Sequence, residues 1–267
     1  MTEQSDASEL NKALFPDLVG TKLLIIGAGS TGQAVAKLAY PLGVKVAAAN
    51  RTPSKLDPLK KIIPDLVTHQ VNARDSASIN SLLDAEKPEH IVLATGYPKH
   101  FMCGETEVSE IMDYLGDRLE PILAIANWIA KSDNKPRSFT IVSGYVRLPV
   151  VGNLAFAVLG QGLTGLAEHL AVELAPTRVN ISAPGPMVDT DMARAAVGGD
   201  AMLDKLTSAL ETQIPIRKAV RVDDCARQII HTMGDGITTG DNRFAEGGLS
   251  LAPGTIIQDI FADDCGH

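Results

Sequence analysis

A chain of 267 residues, 45% hydrophobic and 21% charged, can bury a full core as one α/β domain, and nothing in its length demands a second. Its formal charge of -8 counts against a nucleic-acid partner, since phosphate-backbone binding rests on clustered Lys and Arg; a small-molecule partner is expected instead. The three cysteines, Cys103, Cys225 and Cys265, have neither CxxC nor Cys/His spacing, which points to free thiols and to no metal site.

In chain order, residues 1–20 read as a polar leader without the basic and apolar regions of a signal peptide, and no apolar run is long enough to span a membrane. A cytoplasmic protein with no membrane partner is the expectation. Beyond the leader, apolar runs suited to buried parallel strands fall at 23–27, 45–50, 66–71, 90–96, 138–144 and 178–184. Segments of helical period stand between and after them at 33–42, 76–83, 108–131, 154–174 and 222–233, before a last strand at 242–245. This βαβ series predicts an α/β fold in which residues 21–267 form a single doubly wound domain around a mostly parallel seven-stranded sheet. Residues 187–215, rich in Ala, Gly and Met, follow the sixth strand, where such a sheet opens its ligand crevice, and are expected to form a flap over substrate.

The first strand runs into GAGSTG, which sets Gly27, Gly29 and Gly32 in a GxGxxG between an apolar strand and an Ala-rich helix. Glycines let the backbone approach a pyrophosphate. A helix beginning near Gly32 would offer unpaired N–H groups and a positive dipole to its charge, with Ser30 and Thr31 in the turn. This is the Rossmann dinucleotide pattern. The second strand ends at Asn50, where an NAD-selective protein would carry an acid for the ribose 2′-hydroxyl. Arg51 and Thr52 follow. A guanidinium pairs with a 2′-phosphate that a carboxylate would repel, so NADP(H) is favoured over NAD(H).

The stretches GLAEHLAVELAPTRVNISAPGP and AEGGLSL resemble the short-chain dehydrogenase/reductase superfamily, in a Rossmann chain that is similar to it along almost its whole length. That resemblance implies that Asn72 touches adenine and that Ala94, Thr95 and Gly96 stand in the fourth-strand motif usually written NNAG. It also implies that Pro184 and Gly185 lie beside the nicotinamide, with the Thr190 hydroxyl reaching its carboxamide or phosphate. Five steps from Gly27 to Gly32, where the family usually spans six, resemble extended or atypical members.

The family's catalytic groups are Ser, Tyr and Lys, with an Asn nearby. Ser143 matches the serine, but the Tyr position falls on Phe156, the Lys position on Gly160 and the Asn position near Gly116 and Asp117. General acid catalysis contributes roughly 10²–10⁴-fold and a phenyl ring supplies none. Ordinary carbonyl reduction is therefore not expected, whereas reduction of a C=N bond, an iminium or an activated double bond fits. Tyr145 and Arg147, just past Ser143, are the candidate replacement groups. Some fungal reductases of indole-alkaloid pathways are similar in lacking Tyr and Lys; they reduce an iminium and assist a cycloaddition. They carry an acid where this chain has Ala183-Pro184-Gly185-Pro186. A non-redox NADP(H)-binding protein, and a cyclase or isomerase of Diels-Alderase type with the cofactor as spectator, stand as alternatives. Helices 108–131 and 154–174 carry apolar residues on more than one face, predicting a homodimer or homotetramer. His100, His169 and Trp128 are read as interface or surface residues.

Overall fold

The computed structural model describes residues 3–97, 99–144 and 152–252. Helix α1 (Glu3–Leu14) precedes β1 (Lys22–Ile26), α2 (Ser30–Ala39), β2 (Lys45–Asn50), α3 (Asp57–Lys60), β3 (Val67–Gln70), α4 (Ser76–Glu86) and β4 (His90–Leu93). There follow α5 (Val108–Lys131), β5 (Ser138–Val142), α6 (Leu154–Glu173), β6 (Arg178–Pro184), α7 (Asp191–Ala196), α8 (Asp200–Gln213), α9 (Val222–Gly234) and β7 (Asn242–Ala245).

The seven strands form one sheet in the order β3-β2-β1-β4-β5-β6-β7, and each pair is parallel. Burial explains the order. Strands β4 and β5 are buried at every position and need helices on both faces, whereas β3 and β7 are only partly covered and lie at the edges. Alternation splits β1 between two cores: Leu24 and Ile26 pack with residues of α4, α5 and α6, and Leu23 and Ile25 with residues of α2 and α9.

Pairing stops at Leu93 and Val142, earlier than the apolar runs at 90–96 and 138–144 suggested, because the chain turns out of the sheet at both places. The departing residues, 94–96 and 143–144, line the crevice at the carboxyl ends of the strands. The leader is more than a polar lead-in. Residues 3–14 are helical, Leu18 is fully buried, and Gly234 allows Phe15 and Leu18 to pack against α9. Segment 187–215 holds α7 and α8 over a small apolar cluster that includes Val188, Leu203, Leu206 and Leu210. Cys103 is exposed and Cys225 buried, both as free thiols, and Cys265 lies outside the described residues. None of the helices among the described residues is long and apolar enough to cross a membrane.

Candidate cofactor and active site

At the crevice, Gly27 follows β1 with φ 89°, and a Cβ on it would stand 2.8 Å from the carbonyl carbon of Ala94. Only glycine permits that turn and that approach of the first loop to the fourth. Gly32 seats α2 on the sheet: its Cβ would meet Ile25 Cγ2 at 2.9 Å. Gly29 faces open space and is the N-cap of α2, which begins at Ser30, two residues before the predicted start at Gly32. The early start follows from the Gln33 N–H, which donates to Gly29 O at 2.9 Å and closes the first turn. Neither a side-chain cap nor an acid satisfies that helix terminus, so its N–H groups and dipole suit a pyrophosphate.

Asn50 braces this turn. Its Nδ2 donates to Ala28 O at 3.1 Å, and its Oδ1 accepts from the Thr52 N–H at 3.1 Å. Arg51 is exposed and makes no ion pair among the described residues. Asn72 is exposed just past β3, where its Oδ1 accepts from the Arg74 N–H.

At the other end of the crevice the Ser143 N–H donates to Ser182 O at 2.9 Å, while its hydroxyl has no hydrogen-bond partner among the described residues. Phe156, at the Tyr position, lies beside Gly144 and joins an aromatic wall: its ring is 5.9 Å from that of Tyr114, which is 5.0 Å from Phe101. The Tyr114 hydroxyl donates to Tyr97 O at 2.7 Å, and burial pushes this phenol up to about 12, so it is no substitute acid. Gly160, at the Lys position, opens a groove of about 530 Å³ shared with Gly144, Gln161, Thr164, Glu168 and Asn242. Thr164 Oγ1 donates to Gly160 O and accepts from Asn242 Nδ2, which leaves Asn242 Oδ1 buried without a partner.

Pro184 and Gly185 are buried at the end of β6, and Gly185 packs closely on Glu246. Thr190 Oγ1 accepts from the Ala193 N–H at 3.0 Å, so this hydroxyl caps α7 and keeps its proton for a second contact. Tyr145 and Arg147 lie outside the described residues. His169 pairs with Glu173 on the exposed side of α6, and Trp128 Nε1 donates to Asp84; neither faces the crevice groups described above.

The sequence reading missed Arg118. Carried on α5, its Nη2 donates to Val142 O at 3.2 Å, immediately before Ser143. Its guanidinium lies against Gly96, where a Cβ would fall 1.6 Å from Nη1. Burial lowers its pKa, and it makes no ion pair among the described residues. Neighbouring Asp117 is turned away to Arg74 Nε at 3.0 Å and the Tyr97 hydroxyl at 3.1 Å. The expected Asn position, near Gly116 and Asp117, was the signal that could have found it; helix phase brings residue 118 inward and leaves 116 and 117 beside Arg74.

Comparison with known proteins agrees with this geometry. A family model described as an SDR-like Rossmann domain matches residues 87–252, and the NAD-binding domain of D-isomer specific 2-hydroxyacid dehydrogenases matches residues 1–86. The short-chain dehydrogenase/reductase ATR9 of Stachybotrys chlorohalonatus is 29% identical over 89% of this chain and 100% of its own length. The 3-oxoacyl-[acyl-carrier-protein] reductase FabG of Rickettsia conorii is 27% identical over 88% of this chain and 99% of its own. Among solved structures, the MalC reductase/Diels-Alderase of Malbranchea aurantiaca shares the fold with a TM-score of 0.78 at 22% identity, covering 88% of this chain and 98% of that one. BdcA, solved in complex with NADPH, does so with a TM-score of 0.73 at 20% identity, over 87% and 95% of the two chains. With a family match of this extent and a glycine turn shaped for a dinucleotide, the chain belongs to the short-chain dehydrogenase/reductase family of oxidoreductases.

Proposed function

We propose that the protein is an NADP(H)-dependent oxidoreductase that reduces a C=N or an activated C=C bond instead of an ordinary ketone. The observation that carries this reading is the pairing of a dinucleotide cradle, at Gly27, Gly29 and an Arg51 that makes no ion pair among the described residues, with an apolar surface at Phe156 and a hollow at Gly160. A bound nicotinamide supplies the hydride, while the chain's residues position the acceptor, keep water out and set the local charge. Among the groups described, no side chain stands ready as a general acid, which favours acceptors that need none at the moment of transfer.

Titration of NADPH and NADH, followed by cofactor fluorescence, tests the reading. NADPH is expected to bind at least about tenfold tighter than NADH, and Arg51→Ala to erase most of that preference. Binding of neither nucleotide sinks the proposal; binding without turnover on any imine or enone would favour a non-redox nucleotide-binding role. A second reading, a cyclase or isomerase, is favoured by the partly exposed ring of Phe156, which an apolar substrate could pack against. The MalC protein, similar in fold, is itself described as a reductase/Diels-Alderase. Turnover without consumption of NADPH identifies that case.

A further inference from the structure

Arg118 is a half-buried cation at the carboxyl ends of β4 and β5, where doubly wound sheets bind their ligands. Of its five N–H donors, one set on Nη2 reaches Val142 O, and none reaches a carboxylate among the described residues. Even a half-buried guanidinium loses part of its hydration, and the Asp117 carboxylate that attracts it is itself held by Arg74 and Tyr97, so an anionic ligand would complete the pairing. Beside it Gly96 has φ 135°, a conformation that residues with a side chain rarely adopt, and the guanidinium fills the space over it. Tyr114, one turn earlier on the same face of α5, is buried in the core, and Phe156, packed on it and beside Gly144, is the partly exposed member of that aromatic cluster.

We propose that Arg118 is the substrate-recognising residue of this site, and that it takes the anionic oxygen end, a carboxylate or a charge-gathering carbonyl oxygen, of a molecule whose apolar body lies along Phe156. Arginine remains protonated, so it pairs with charge and delivers no proton. Resting on the oxidoreductase reading, this assignment chooses between its two acceptor classes. A cationic iminium placed at Arg118 would be repelled, whereas a double bond conjugated to a carbonyl or carboxylate would be held.

Cinnamate and cinnamylammonium share one phenylpropenyl body and carry opposite charges. Isothermal titration of the full chain with each, at low salt, should show cinnamate binding at least about tenfold tighter. Arg118→Met should weaken cinnamate by a similar factor while changing the melting temperature little, because it removes a half-buried charge that makes no ion pair among the described residues. Arg118→Lys, which keeps charge and loses the planar fork, should restore part of the affinity. Equal affinity for the two probes, tighter binding of the ammonium, no binding of either, or an unchanged cinnamate affinity in Arg118→Met each overturns the assignment. Neither probe is reduced in this experiment, so failure of NADPH to bind sinks the oxidoreductase reading separately.

Discussion

Single residues decide the chemistry available in this crevice. Gly27 carries the first loop through φ 89° with the Ala94 carbonyl carbon 2.8 Å from where a Cβ would stand. Gly27→Ala should therefore lower stability by about 1–3 kcal/mol and weaken nucleotide binding. Thermal melting and NADPH titration of the same preparation check it; an unperturbed melt with normal binding would contradict the steric account. Ser143, Phe156 and Gly160 were singled out through the family resemblance, whose motif sets their separation along the chain. Arg118 was not, because its relevance depends on the rotational phase of α5, and a count from neighbouring motifs misses by one or two residues without that phase.

At the scale of elements, strand interiors were readable because burial on both faces leaves apolar runs, as in LLII of β1 and IVL of β4. Strand ends were not, because Ala94 and Gly144 look like strand residues after the chain has already left the sheet. The leader was also opaque, its docking resting on little more than Phe15 and Leu18. Its joint with the sheet has a titratable centre. His90 Nε2 bonds to Asp17 O at 2.9 Å, Nδ1 bonds to Ser138 Oγ at 2.8 Å, and burial pulls the imidazole down to about 4. Because the folded value lies below the unfolded one of about 6.5, the unfolded chain takes the proton first. His90 thus contributes a loss of stability that begins as pH falls through 6.5, reaches about 3 kcal/mol and levels off below 4. Urea unfolding at pH 7, 5.5 and 4.5 should show this fall, and His90→Gln should remove it; parallel pH profiles for the two proteins would refute it.

The architecture of the whole molecule places the site. Strand order runs outward from β1 toward β3 on one side and from β4 toward β7 on the other, and Gly27 and Ala94 meet where the two halves part. That plan was legible in the sequence because most crossover helices are long enough to be recognised between strands; the four-residue α3 between β2 and β3 was not. The sheet proved wholly parallel in its described pairings, a little more regular than expected. Val108, Met112 and Leu123 on α5, with Leu154, Val158 and Val172 on α6, remain exposed and support the proposal of a homodimer or homotetramer. Size-exclusion chromatography with light scattering should find at least twice the monomer mass, and charged replacements at Met112 and Val158 should shift it toward monomer; a monomeric wild type rules the proposal out.

The small apolar cluster under α7 and α8 is completed by two residues that lie beyond the 187–215 segment, Ala219 and Leu249. The segment is thus not a portable cassette. Grafting it alone onto a related scaffold would leave Leu203, Leu206 and Leu210 without their lining, whereas a graft that carries Ala219 and Leu249 moves the interlocking parts together.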